Sequence, residues 1–274
     1  MEQKILFKVH MPKSVDKPLL EVLHSGFIGQ GKKVDEFEEK LGHYFGNKKV
    51  LTLNSGTSGL HLALRLANVG HGDEVITTAM TCTATNMPIL AAGAKIVWAD
   101  VNPITGLIDP QAIEEKITSK TKAIIMVHFG GIPCDIDAIN AIAKKHNLKT
   151  IEDGAHAIGA EYKSSKIGNH SDFTMFSLQA IKHFTTIDGG LLLCKDQSDY
   201  ERGKLLRWYG IDRDAKRKEF RCEEDIVEFG YKYHMNDISA TIGIEQLKYI
   251  DEIVSQHIDN QEYYDRTLVG IKGV

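Results

Sequence analysis

Cysteine, proline and long apolar runs are all scarce in this chain of 274 residues. Its four cysteines stand far apart, at positions 82, 134, 194 and 222, with no CxxC pair and no histidine cluster at ligand spacing. This pattern argues against a zinc site and is typical of a reduced, intracellular protein. The amino-terminal segment lacks the apolar core of a signal peptide, and no apolar run approaches membrane-spanning length. We therefore expect a cytoplasmic protein without a metal.

Strong net charge is also lacking, since the formal net charge is only -4. Nothing in this balance favours a nucleic-acid or anionic-membrane partner. One basic stretch, residues 213–221, is short and interrupted by acidic residues, so a solvated loop or helix face explains it about as well as an anion site. With 42% hydrophobic and 26% charged residues, the chain has the composition of an ordinary globular protein. Its length is enough for one large domain or for a large domain with a small appendage.

Short β-rich runs alternate with helical patterns between residues 51 and 195. The predicted strands are Glu74–Thr78, Lys95–Asp100, Ala123–His128, Lys149–Glu152, Phe173–Ser177 and Gly190–Cys194. Helices are predicted at Gly59–Asn68, Pro110–Lys116 and Asp135–His146. Such alternation predicts an α/β fold with a mostly parallel sheet flanked by helices, in which ligands bind beyond the carboxyl ends of the strands.

The flanking regions read as helical. Residues 1–50 are predicted to form a helical lead-in, with apolar residues at helical spacing over Val34–Phe45. Residues 51–230 form the predicted large α/β domain. Residues 231–274 are predicted to be the helical start of a further carboxyl-terminal region.

A small-residue segment, Asn54 to Gly59 (NSGTSG), directly precedes the amphipathic run LHLALRLA. Small residues at a helix start leave backbone N–H groups unshielded, and the helix dipole favours an anion there. The segment is therefore a candidate phosphate-binding turn. An ordinary Ser/Thr helix cap explains the same residues equally well when they are taken alone.

Two further segments carry candidate chemistry. Asp153 ends a predicted buried strand and is followed by small residues, which suits a carboxylate at the ligand crevice, although it could equally cap the next helix. Lys182 sits in an uncharged segment between two predicted strands. A lysine with few water contacts loses basicity and becomes a nucleophile toward an aldehyde, whereas most lysines simply extend into solvent.

Together, these three segments supply what pyridoxal 5'-phosphate (PLP) chemistry requires: an anchor for the phosphate, a carboxylate for the pyridine nitrogen and a lysine for the aldehyde. Their order and spacing resemble those of the DegT/StrS-type sugar aminotransferases. The resemblance extends from the lead-in (LLEVLHSGFIGQGKKVDEFEEKLGHYFG) to the segment YKYHMNDISATIGIEQL, and so covers most of the chain.

The resemblance implies the PLP-dependent transferase fold type I, the fold of aspartate aminotransferase, with a carboxyl-terminal small domain that is largely absent here. It implies that Lys182 is the Schiff-base lysine, that Asp153 pairs with the pyridine nitrogen and that His156 lies beside the ring. The cofactor-binding residues it implies are Gly56, Thr57, Cys82, Asp153, His156, Ser177, Lys182 and Asn236. Of these, Asn236 would reach the phosphate from a neighbouring subunit, which implies a homodimer at least.

Two departures from the family pattern stand out. Cys82 occupies the position where the family usually stacks an aromatic residue on the ring, and it offers less contact area while remaining apolar and polarizable. The usual Gly-Glu-Gly-Gly after the lysine is here Ile187-Asp188-Gly189-Gly190, which we interpret as a mild change.

The implied reaction transfers an amino group, with L-glutamate as the expected donor, to the keto carbon of a nucleotide-linked keto-6-deoxy sugar. Three alternatives stay open: a truncated and catalytically impaired PLP-binding homologue, a PLP-dependent sugar dehydratase, and an α/β domain that binds some other phosphate ligand. Lys182 opposes the dehydratase, because that group carries histidine at this position. The segments 128–131 and 207–210 are candidates for sugar contact, with core packing as the alternative.

Overall fold

The structure is a computed structural model, and it describes residues 8–215 and 226–271. Most of the basic stretch 213–221, as well as Cys222, lies outside the described residues. Within the described residues, no helix is long and apolar enough to cross a membrane. The same residues contain no group of three or more His, Cys, Asp or Glu side chains placed to hold a metal ion.

Seven strands form one mixed sheet in the order β1-β9-β8-β5-β4-β2-β3. The strands are β1 Val50–Leu53, β2 Glu74–Thr77, β3 Lys95–Trp98, β4 Thr121–Val127, β5 Lys149–Asp153, β8 Phe173–Ser177 and β9 Gly190–Cys194. Only β9 runs antiparallel to its neighbours β1 and β8, while the remaining pairs are parallel. A small hairpin, β6 Glu161–Tyr162 and β7 Ser165–Lys166, lies apart from this sheet.

Nine α-helices are described in these ranges of the chain: α1 Asp16–His24, α2 Lys32–Phe45, α3 Gly56–Leu66, α4 Thr83–Ala91, α5 Pro110–Glu115, α6 Ile136–His146, α7 Gln197–Leu206, α8 Asp237–Leu247 and α9 Ile250–Leu268. The six predicted strands and the predicted helices are confirmed to within a few residues at their ends. Strand β1 was missed, although its sequence VLTL has the apolar, β-branched character of a buried strand.

The sheet is buried on both faces, which explains the apolar runs in its strands. Along β4, Ile124 and Met126 pack into one hydrophobic cluster, whereas Ala123 and Ile125 pack into the other. This alternation follows the two-residue period of a strand. The expected fold class, a mostly parallel sheet flanked by helices, is confirmed.

The free edge of β1 is closed at Thr52 by side chains and at Leu53 by an antiparallel bridge to His234. Glu38 of α2 accepts hydrogen bonds from the Thr52 N–H and hydroxyl, both at 2.8 Å. Arg207 donates to the Thr52 carbonyl at 3.1 Å and forms an ion pair with Glu38. Because an edge strand exposes unpaired backbone groups, this pair satisfies those of Thr52 and holds the first strand of the site against α2.

Candidate active site

The predicted phosphate-binding turn lies between β1 and α3. Ser55 caps α3, with its hydroxyl accepting from the Ser58 N–H at 3.0 Å and its carbonyl accepting from the Gly59 N–H at 3.2 Å. The first N–H groups of a helix have no acceptor within the helix, so those of Gly56 and Thr57 are directed out of its start. The helix-cap and phosphate-turn interpretations are therefore compatible, because Ser55 performs the capping while its neighbours keep their donors.

Two glycines allow the turn to lie against the strands beside it. A Cβ on Gly56 would lie 2.9 Å from the Met175 sulfur and 3.1 Å from Cβ of Ser177. A Cβ on Gly190 would lie only 2.3 Å from the Ser55 carbonyl oxygen. Because neither glycine has a side chain, the start of α3 can pack against the last residue of β8 and the first residue of β9. This packing places the half-buried Ser177 beside Gly56.

Asp153 ends β5 on the same face of the sheet as Ile151. It is 5% exposed, and its carboxylate accepts from the Ala155 N–H at 3.0 Å and from the Thr85 hydroxyl at 2.6 Å. The local N–H bond resembles that of a turn cap, the alternative considered for this residue. The bond to Thr85 on α4 joins two elements 68 residues apart in sequence, so the carboxylate is held from both sides.

Lys182 lies in the loop between β8 and β9. Hydrogen bonds from Leu178 N–H to the Gly189 carbonyl and from Thr186 N–H to the Leu178 carbonyl close the base of this loop, at 2.9 and 3.0 Å. Lys182 is half-buried, and the loss of solvent lowers its pKa, an effect that Asp153 and Cys82 partly oppose. The lysine is therefore neutral at lower pH than a solvated one, as a nucleophile requires.

His156 completes this group. Its Nδ1 accepts from the Gly130 N–H at 3.3 Å, and its ring packs edge-on against Phe129 with centroids 5.7 Å apart. Burial lowers its pKa, Lys182 lowers it further, and Asp153 acts in the opposite direction. An imidazole in this setting is neutral near neutral pH and offers hydrogen bonds rather than charge.

A cavity of about 560 Å³ opens beside Lys182. Its walls include His156, His183, Tyr249 and His257. His183 and His257 form an edge-on ring pair with centroids 5.1 Å apart, and burial, together with the basic groups nearby, lowers the pKa of His183 to about 4. A larger cavity of about 750 Å³ lies between α2 and α7, and none of the predicted cofactor residues lines it.

The structure also locates the remaining predicted residues. Cys82, immediately before α4, is exposed and close enough to Lys182 to influence its pKa. Asn236 is exposed at the start of α8, where its side-chain oxygen accepts from the Ser239 N–H at 2.9 Å. The roles of both residues toward a cofactor stay predictions.

Two of the suggested sugar contacts are wrong. His128 is fully buried, with Nε2 bonded to Glu152 at 2.8 Å and Nδ1 accepting from the Cys134 N–H at 3.1 Å. Arg207 is 4% exposed and paired with Glu38. Both side chains therefore serve packing and internal pairing, the alternative considered for them.

Ile187 departs from the expected mild change. It adopts φ 75°, the left-handed region, although its side chain is β-branched. The glycine usual at this position in the family accepts that conformation freely, whereas isoleucine is strained there. The substitution is therefore costly rather than mild.

Comparison with known proteins identifies the family. The model of the DegT/DnrJ/EryC1/StrS aminotransferase family matches residues 11–274. The chain belongs to this family. It is 38% identical over 257 residues to the UDP-4-amino-4-deoxy-L-arabinose--oxoglutarate aminotransferase of Shewanella sediminis, covering 93% of this chain and 66% of that protein. The chain spans about two thirds of the length of the curated relatives it matches.

Solved structures agree with this assignment. The sugar aminotransferase CalS13 of Micromonospora echinospora superposes with a TM-score of 0.95 at 38% identity, over 99% of this chain and 75% of that one. The PLP form of Spr1654 from Streptococcus pneumoniae, described as a putative sugar aminotransferase, superposes with a TM-score of 0.89 at 33% identity, over 98% and 72%. The fold is that of the PLP-dependent transferases of fold type I, and PLP is the cofactor of this family.

The residues of this chain fit that cofactor. A phosphate requires unshielded N–H donors, and Gly56 at the start of α3 has no side chain to shield them, while a Cβ there would press against Met175 and Ser177 of β8. A pyridinium requires a buried carboxylate, which Asp153 supplies, and an aldehyde requires an amine of lowered pKa, which Lys182 supplies.

Proposed function

We propose that this chain is a PLP-dependent aminotransferase that transfers an amino group from an amino-acid donor, L-glutamate, to the keto carbon of a nucleotide-linked keto-6-deoxy sugar. The observation that carries the proposal is Lys182, half-buried beside Asp153 and His156 at the rim of a cavity, with its pKa lowered by burial. The names of the relatives support a sugar as the acceptor. The three free cysteines in the described residues suit the cytoplasm, the compartment we expect.

The phosphate group is held, in this proposal, by the N–H groups of Gly56 and Thr57 and by the hydroxyl of Ser177. Gly56 and Ser177 are close neighbours, since a Cβ built on Gly56 would lie 3.1 Å from Cβ of Ser177. The positive end of the α3 dipole adds to their attraction for an anion. Cys82 lies near Lys182 and takes the place of the usual aromatic residue against one face of the ring.

Proton transfer is assigned to Lys182, Asp153 and His156. Bound PLP supplies an electron sink and carries the amino group between donor and acceptor. The Asp153 carboxylate holds the proton of the ring nitrogen, and its two bonded oxygens keep it oriented for that task. The Lys182 amine takes a proton from the substrate carbon and returns it, as a general base and then a general acid. His156 offers a neutral hydrogen bond beside the ring.

A homodimer is part of this proposal, because Asn236 is assigned to the phosphate of a second copy of the chain. An asparagine amide has separate donor and acceptor atoms. The oxygen of Asn236 caps α8, so its nitrogen can donate elsewhere. Its exposure at the start of α8 is compatible with a contact across a subunit interface.

The deciding experiment is a visible spectrum of the chain with added PLP, before and after L-glutamate. Wild type should acquire a lysine-dependent band that glutamate converts to the pyridoxamine form. Lys182→Ala should lack the band, whereas Lys145→Ala, which changes an exposed lysine, should keep it. A band that glutamate leaves unchanged would favour a binding-competent but impaired homologue, and wild type without a band would refute the proposal.

The dimer assignment has its own test. Lys182→Ala and Asn236→Ala are each expected to be defective at limiting PLP. If Asn236 acts across the interface, mixing the two variants rebuilds one intact site in each mixed dimer, so up to about a quarter of the sites should recover. No recovery after subunit exchange, shown by mass spectrometry of mixed dimers, would place Asn236 outside the shared site.

A further inference from the structure

Asp153 is held by a hydroxyl group as well as by a backbone N–H. The Thr85 oxygen lies 2.6 Å from one carboxylate oxygen, and the Ala155 nitrogen lies 3.0 Å from the other. Thr85 is 1% exposed and Asp153 is 5% exposed. The contact between them is therefore shielded from water, so its strength is not lost to competition with solvent.

Thr85 has a second hydroxyl partner. Its oxygen also lies 2.7 Å from the hydroxyl oxygen of Thr81, one turn earlier. Each hydroxyl has one proton to donate, and an ionised carboxylate only accepts. The Thr85 proton therefore points to Asp153, and the Thr81 proton points to Thr85. The chain of bonds has one direction, from Thr81 through Thr85 to Asp153.

Such a chain stabilises the ionised form of the carboxylate. A hydroxyl bonded to a carboxylate at this distance is a short, charge-assisted hydrogen bond. The bond from Thr81 polarises the Thr85 hydroxyl and strengthens its donation. Thr85 also belongs to the first turn of α4, where the helix dipole favours a negative charge. All three features favour a negative charge on the carboxylate and fix its orientation.

We propose that Thr85 is a positioning residue for Asp153, with Thr81 behind it, and that the two hydroxyls keep this carboxylate ionised and oriented. The consequence for catalysis rests on the proposed function, in which Asp153 faces the pyridine nitrogen. A carboxylate held in its ionised form leaves the shared proton on the ring nitrogen, which is the form that withdraws electrons. The segment Thr81–Thr85 thereby holds Asp153, and this role does not require the aromatic residue that the family usually has at the position of Cys82.

The first test needs no cofactor. The Asp153 carboxyl is titrated by ¹³C NMR in the cofactor-free protein, with Asp153→Asn used to assign its signal. Thr85→Val keeps the side-chain shape but removes the donor, and should shift the titration of the assigned Asp153 signal to higher pH than in wild type. Thr85→Ser keeps the hydroxyl and should restore the wild-type titration, whereas Thr83→Val, at an exposed position of the same segment, should leave it unchanged.

The proposal is overturned if Thr85→Val titrates like wild type, or if Thr85→Ser shifts as far as Thr85→Val. Thermal unfolding of the cofactor-free variants checks that they fold. If Thr85→Val does not fold, Thr81→Val is measured instead. Its Asp153 signal should shift to higher pH by a smaller amount, and the absence of a shift would contradict the chain of hydroxyls.

A second readout uses added PLP. The pH midpoint of the visible band should rise in Thr85→Val and not in Thr85→Ser, because a more basic Asp153 withdraws the proton from the ring. Wild type that never forms the band would refute the proposed function, while the cofactor-free titration would still decide the role of Thr85.

Discussion

Adding a single methyl group at Gly190 should disable the phosphate-binding turn. The new Cβ would meet the Ser55 carbonyl oxygen at 2.3 Å, the Ser55 carbonyl carbon at 2.4 Å and the Gly56 nitrogen at 2.6 Å. All three are backbone atoms that cannot rotate away, and ordinary contact begins near 3.4 Å. The start of α3 must therefore move by about 1 Å from β9. Overpacking of this kind typically costs about 1–3 kcal/mol.

The same displacement moves the phosphate donors. A misplacement of about 1 Å in an oriented site can cost on the order of 100-fold in activity, and we expect Gly190→Ala to weaken PLP binding by at least about tenfold, equivalent to ~1.4 kcal/mol. Urea unfolding and PLP titration measure the two effects separately. Gly70→Ala is the matched control, because a Cβ there meets nothing within 4 Å. If Gly190→Ala has the same free energy of unfolding and the same affinity for PLP as wild type, this account of the turn is refuted.

Three further outcomes are expected. Ile187→Gly should raise the free energy of unfolding by about 1 kcal/mol, because relieving the left-handed strain of this exposed isoleucine outweighs the entropic cost of glycine. Urea unfolding measures this free energy, and a lower value in the variant would contradict the prediction. Arg207→Met should lower that free energy by about 1–3 kcal/mol, because the partly buried Glu38 loses its counter-charge. An unchanged free energy would show that the pair is solvated. Burial lowers the pKa of Lys182 in the folded, cofactor-free protein below its pKa in the unfolded chain. The unfolded state therefore binds more protons between these two pKa values, so the free energy of unfolding should increase as pH rises through that window. If Lys182→Met shows the same pH dependence of unfolding as wild type, this effect is excluded.

Much of the sheet and the central group of site residues could be predicted from the sequence, because both depend on local patterns. Doubly buried strands read as apolar runs, and Asp153 and Lys182 stand in or beside such runs at the edge where parallel sheets bind ligands. Strand β1 was missed because four residues give little periodicity. Ile187 was judged mild because the sequence does not reveal that its backbone adopts a left-handed conformation.

The contacts that hold the site in place could not be predicted, because they join residues distant in sequence. Thr85 reaches Asp153 across 68 residues and Arg207 reaches Glu38 across 169. In isolation, each of these side chains is equally compatible with a solvated surface position. Only the fold shows that burial requires each of them to have a partner.

The residue after Asn236 shows how such a contact couples two predicted regions. The Asp237 carboxylate, 5% exposed, accepts from the Gly31 N–H at 2.8 Å and the Val34 N–H at 3.1 Å, and so caps α2 from the start of α8. Asn236 caps α8 itself. The lead-in and the proposed phosphate-binding asparagine are therefore one structural unit, in which a change at Asp237 displaces both. In the proposed homodimer, where Asn236 serves the phosphate of the second copy, this contact links the lead-in of one chain to the site of the other.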